Sequence, residues 1–128
     1  MIIRVYHGLG TPVYLQIAQQ IKHAIAASAL RENELLPPIR KLAAELRVNP
    51  STVARAYQNL EREGLLRAVP GGGNYVDVQS QGLPRSEKLK RLRPLAIRLA
   101  VEARQLTLTR EDVLALLQNS YDELEAPQ

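Results

Sequence analysis

No cysteine occurs among the 128 residues, which excludes disulfides, thiol catalysis and cysteine-ligated zinc. That absence fits a reducing compartment, and a cytoplasmic location is expected. No run of about 18 apolar residues exists, so no membrane-spanning helix is expected. Met1-Ile2-Ile3-Arg4-Val5 lacks the long apolar core of a signal peptide, and none is expected. The chain has two histidines and no paired carboxylates beside a nucleophile, so an enzyme is not expected. No cofactor is expected either, because Gly71-Gly72-Gly73 is not followed by the Lys-Ser/Thr of a nucleotide-phosphate loop. One further absence is local. From Leu46 to Leu60 there is no acid, yet Arg47 and Arg55 both fall within that window.

Hydrophobic residues make up 45% of the chain, enough for a packed core. Seventeen Lys and Arg against thirteen Asp and Glu give a net charge of +4, and the pI is near 9.7. Excess positive charge favours a polyanionic partner such as DNA, RNA or anionic lipid. The length suits one domain and an appendage.

The acid-free window lies inside PPIRKLAAELRVNPSTVARAYQNLEREG, Pro37 to Gly64. Ile39, Leu42, Ala43 and Leu46 recur at helical spacing, and Val53, Ala56, Tyr57 and Leu60 repeat the pattern. Two helices joined by a tight turn are predicted. Asn49 suits an N-cap, and Pro50 falls at the first helical position, where its missing N–H costs nothing. Val48 and Val53 stand where a hydrophobic staple forms, and Gly64 can take a positive φ at the C-terminal end. A helix whose amino end enters a DNA groove needs small polar donors, a cation and no carboxylate. Asn49, Ser51, Thr52 and Arg55 meet that description, with Gln58 on the same side. Arg55 could read guanine or hold a phosphate. After Gly64, Leu65 to Val69 and Asn74 to Val78 read as strands around a Pro70-Gly71-Gly72-Gly73 turn. Helix, turn, helix, hairpin is the order of a winged helix.

Upstream, Ile2 to Tyr6 is predicted as a short strand or an ordered arm, broken by Gly8 and Gly10. Thr11 is predicted to cap a helix with Pro12 at its first position and Val13, Ile17, Ile21, Ala24 and Ile25 buried. Tyr14 and His23 read as packing or surface residues. Glu34-Leu35-Leu36 is predicted as a short strand beside the hairpin, and Pro37-Pro38 as the start of the next helix.

LPPIRKLAAELRVNPSTVARAYQNLEREGLL followed by GGGNYV resembles the amino-terminal domain of GntR-family transcription regulators, and VNPSTVARAYQNLEREG with a short tail is most similar to the YtrA subfamily. The resemblance spans about Pro12 to Val78. It implies contact of Arg40 with DNA. The family commonly has Gly where Arg47 stands, so a left-handed Arg47 would carry about 1–2 kcal/mol of strain, offset if it reaches a phosphate. Many members carry arginine where this chain has Pro50 and Ala54, and a wing cation with Thr where it has Gly72, Gly73 and Asn74. A backbone contact at that tip is expected at most, with Arg67 supplying the missing charge.

Gln79 to Pro84 reads as a linker, dividing a winged-helix DNA-binding domain at 1–79 from a helical dimerisation tail at 80–128. In the tail, Leu89, Leu92, Ala96, Leu99, Ala103 and Leu106 form a heptad-like stripe. Pro94 is expected to kink that helix or restart it. Thr109 with Asp112 at N3 is predicted to cap a last helix bearing Val113, Leu116, Leu117 and Tyr121. Arg85 to Arg104 carries seven cations against two acids, and Arg110 to Glu125 one against five. Two such helices cannot bury their stripes alone, so a homodimer is expected, the alternative being packing back on the wing domain. The fold class expected is mostly α (α+β), and the function a DNA-binding regulator acting on double-stranded DNA. The rival is a protein-interaction winged helix that reads no DNA. Nothing in the residues specifies a small-molecule effector.

Overall fold

The computed structural model describes residues 1–127, with the side chains of 79 and 80 outside the description. Five helices and one hairpin follow in order: α1 (Val13–Ala26), α2 (Ile39–Leu46), α3 (Pro50–Arg62), β1 (Leu66–Val69), β2 (Gly73–Val76), α4 (Arg85–Gln105) and α5 (Arg110–Glu125). A 3-10 turn, Gln79–Gly82, precedes α4. The chain divides into two compact units, Met1–Gln79 and Ser80–Gln128. The first is a winged helix, as the residue pattern predicts.

Its core forms around α3, which packs against α1, α2 and β1. Val53, Ala56, Tyr57 and Leu60 are buried there with Ile17 and Ile21 of α1, Leu42 and Ala43 of α2, Leu66 and Val76. The Tyr57 hydroxyl donates to the Pro37 carbonyl at 2.7 Å, tying the middle of α3 to the chain just before α2.

Helix starts differ slightly from expectation. Pro12 is the N-cap of α1, without a side-chain cap, and Thr11 lies outside. Pro38 likewise caps α2. Proline at φ near −55° with extended ψ feeds a helix without belonging to it. Helices α1 to α4 share one device at their ends, a left-handed residue at Ser28, Arg47, Gly64 and Thr107. At α3, Gly64 takes φ 78°, with its N–H on the Glu61 carbonyl and that of Leu65 on Leu60. This is the Schellman pattern, which satisfies the last carbonyls.

The hairpin is antiparallel, with Leu66 opposite Val76 and Val69 opposite Gly73. Both strands are shorter than expected, since Leu65, Asp77 and Val78 fall outside them. The stretch Glu34–Leu36 does lie beside β2. Leu35 bridges Tyr75, the Leu36 N–H donates to Asn74, and the Val76 N–H donates to Glu34. The amino-terminal arm is held not by a strand but by two carboxamides one turn apart on α1. Gln16 bonds both the N–H and C=O of Tyr6, and Gln20 those of Arg4. Each side chain thus imitates a strand partner, and Ile3 is drawn into the core.

In the second unit, α4 runs through Pro94 without a restart. The Thr109 hydroxyl accepts from the Asp112 N–H and the Asp112 carboxylate from the Thr109 N–H, completing the expected capping box on α5. The Thr109 backbone N–H first, and the Thr109 hydroxyl second, hold the Asp112 carboxyl below its ordinary range. The apolar stripes stay largely uncovered. Leu89, Leu92, Leu106, Leu116 and Tyr121 are each more than half exposed, and Leu117 and Ala96 are exposed too. Leu99 and Val113 are half-buried, and of the stripe Ala103 alone is buried.

Candidate nucleic-acid interface

Helix α3 has two chemically opposite faces. Val53 and Ala56 are 0% exposed, while Ser51, Arg55 and Gln58 are exposed and Thr52 is half-buried. The polar face is presented by its amino half, starting at the cap. Asn49 Oδ1 accepts the Ser51 N–H at 2.9 Å. That bond commits the carbonyl end of the amide, so Asn49 offers outward its Nδ2 donor more readily than the two-atom pattern adenine takes. No acid sits in the first turn, so the positive end of the helix dipole is unneutralised and favours phosphate.

Arg55 is the most informative residue here. Its guanidinium carbon lies 3.8 Å from the centroid of the Tyr14 ring, contributed by the first turn of α1. Among the described residues, no hydrogen-bond or ion-pair partner takes its N–H groups. Arg62 and Arg67, by contrast, are engaged. Arg62 donates to Asn59. Arg67 lies 3.5 Å from Asn33 Oδ1, 3.9 Å from Asp77 Oδ1 and 5.5 Å from the Tyr75 ring centroid. Arg67 thus braces the hairpin two register positions below its tip. Tyr14 is the one participant that sequence reasoning passed over, because its pairing with Arg55 crosses the α1–α3 interface.

Arg47 ends α2 at φ 56°, ψ 46°, the left-handed conformation expected where the family has glycine. Its N–H bonds Ala44 and that of Val48 bonds Ala43, so its exposed side chain projects from the turn between the two helices. Arg40, in the first turn of α2, is exposed as well.

At the wing tip, Val69-Pro70-Gly71-Gly72 closes a turn by a Gly72 N–H to Val69 C=O bond of 2.8 Å, with φ +70° at Gly71. Proline then glycine at the centre is the type II pattern. A Cβ on Gly72 would stand 2.8 Å from Val69 Cγ1. The turn itself therefore requires these glycines. Gly72 and Gly73 are exposed, and Asn74 is half-buried with its carbonyl used by Leu36.

Among the described residues, no cluster of His, Asp or Glu could hold a metal, and no helix is long and apolar enough to cross a membrane. The family described as "Bacterial regulatory proteins, gntR family" matches residues 13–76. The HTH-type transcriptional repressor YtrA of Bacillus subtilis (strain 168) is 38% identical over 71 residues, 56% of this chain and 55% of that one. The chain thus matches about half the length of that relative. A crystal structure described as a transcriptional antiterminator from Listeria monocytogenes EGD-e superposes with TM-score 0.85 at 27% identity, covering 100% of this chain and 96% of that one. The DNA-binding domain of AraR, solved in complex with operator ORX1, superposes with TM-score 0.54 at 25% identity, covering 59% of this chain and 95% of that one. Matched across its whole winged helix, from the first residue of α1 to the last of β2, this chain belongs to the GntR family of bacterial regulatory proteins.

Proposed function

We propose that the chain is a transcriptional repressor that binds an inverted-repeat operator in double-stranded DNA as a homodimer. The observation that carries this reading is α3: one face sealed in the core, the other exposed, carboxylate-free and armed with Arg55. Residues 1–79 would read DNA through Arg40, Arg47, Asn49, Ser51, Thr52, Arg55 and Gln58, with the wing backbone at Gly72 and Gly73 on the flanking phosphates. Residues 80–128 would join two copies through the stripes of α4 and α5. Repression would follow from occupying a promoter. The AraR domain, solved with its operator and sharing this fold, supports double-stranded DNA as the ligand.

The Listeria neighbour is described as an antiterminator, which raises RNA as a second ligand. Groove geometry argues against it. A-form RNA has a deep, narrow major groove that side chains cannot read, whereas the B-DNA major groove admits an α-helix.

Selection of bound duplexes from a random DNA pool tests the proposal. Two inverted half-sites are expected, with centres about 10 base pairs apart or a multiple of that. With roughly 6–10 phosphates neutralised, log affinity should fall against log salt with a slope of about −5 to −9. A protein that enriches no duplex and shows no salt-dependent binding is instead an interaction module.

A further inference from the structure

We propose that Tyr14 is a positioning residue for DNA recognition: its ring fixes the plane of the Arg55 guanidinium and leaves the N–H edge of that group facing outward. This rests on the DNA-reading role given above. A free arginine samples many rotamers, and ordering it on a ligand costs about 1.5–2 kcal/mol of side-chain entropy. A ring 3.8 Å beneath the guanidinium supplies that order in advance, through a cation–π contact that uses none of its donors. An arginine recruited only to tie α1 to α3 would direct its N–H groups at carbonyls or carboxylates of the two helices. Arg55 directs none to any described residue. Face held and edge open is the arrangement that a planar pair of acceptors requires, whether guanine O6 and N7 or two phosphate oxygens. The two elements also make sense of each other's sequence. Tyr14 is half-buried in the first turn of α1, and Arg55 lies on the exposed face of α3 one turn beyond its start.

The test uses the full chain and the duplex that the wild type selects, with Tyr14→Phe, Tyr14→Leu, Arg55→Lys and the double substitution Tyr14→Leu/Arg55→Lys. Thermal melting confirms folding of each. Tyr14→Phe keeps the ring and should bind within about twofold of wild type. Tyr14→Leu should lose about two- to fivefold per half-site, hence about 4- to 25-fold on a symmetric duplex. Arg55→Lys retains the charge without the planar fork, and adding Tyr14→Leu to it should cost little more. A loss confined to one base-pair position assigns the edge to guanine, and a uniform loss over all duplexes assigns it to phosphate. If Tyr14→Leu binds like wild type, or loses as much in the Arg55→Lys background as in the wild-type one, the positioning role is overturned while DNA reading stands. If the wild type itself selects no duplex, both readings fall.

Discussion

At Arg47, stability and the recognition role proposed above pull in opposite directions. Its left-handed backbone closes α2, a position where glycine pays no Cβ penalty. Arg47→Gly is expected to raise unfolding free energy by about 1 kcal/mol. The same change removes a cation from the mouth of the helix-turn-helix, so operator affinity should fall and the salt slope should shrink by about one per half-site. Urea denaturation and salt-titrated anisotropy check the two signs separately, and a variant that gains stability without losing affinity rules Arg47 out of the interface. Tyr57 makes a different point about single residues. Burial first, and the Glu45 carboxylate second, push its hydroxyl from 10.0 up to about 12. The folded protein therefore holds this proton more tightly than the unfolded chain does. Its contribution is complete below pH 10 and is lost as pH rises toward 12. Tyr57→Phe leaves the Pro37 carbonyl without its donor and should cost about 1 kcal/mol at about pH 7. Across that alkaline window the variant's stability should decline less than wild type, which denaturation at about pH 7 and about pH 11 measures.

At the scale of the element, α3 does two jobs with one residue at its start. Asn49 caps the helix and also stands at the proposed groove. Asn49→Asp separates the roles. Aspartate caps about as well as asparagine, and its charge meets the positive helix end favourably. Stability should stay within about 0.5 kcal/mol of wild type or rise. The new carboxylate would face phosphates, so DNA affinity should drop at least about tenfold, through repulsion worth about 1.4 kcal/mol or more. Equal binding by both proteins in anisotropy titrations would place Asn49 away from DNA. The elements legible in the sequence are those set by local rules. The caps at Asn49 and Thr109, the glycine at the end of α3 and the left-handed Arg47 all follow from bonds between residues a few positions apart. Apart from Glu34–Leu36 beside the hairpin, contacts between distant segments left no such trace. Gln16 and Gln20 gripping the arm 10 and 16 residues upstream, and Tyr14 beneath Arg55, depend on how α1 is turned against its neighbours. The glycines of the wing were legible as a turn, but Gly72 answers to Val69 packing within the hairpin, which only the folded chain exposes.

For the whole molecule, the deciding feature is the apolar surface exposed on the helices of the second unit. Helices α4 and α5 leave between them an open groove of about 400 Å³, lined by Leu92, Leu99, Val113, Leu117 and Tyr121 among others. Leu106 and Tyr121 are 67% and 63% exposed. Apolar patches of this kind on a folded unit mark an interaction surface. In the homodimer proposed above, the cation-rich α4 of one chain would meet the acid-rich α5 of the other, although such exposed pairs add little energy. Burial of the leucine stripes would provide the driving force. Leu99 sits at the centre of α4's stripe, where a carboxylate would have to be buried unpaired. Leu99→Asp is therefore expected to sediment as a monomer under conditions where wild type is a dimer. Joining two half-site readers raises apparent affinity by roughly 10²–10⁴ through effective concentration, and this is what the variant should lose on the full operator. Its affinity for a duplex with a single half-site should match wild type, because α3 and its cap are untouched. The paired measurement separates assembly from reading. Loss on both duplexes indicates damage to the winged helix, and an intact dimer with full affinity moves the interface elsewhere in the chain.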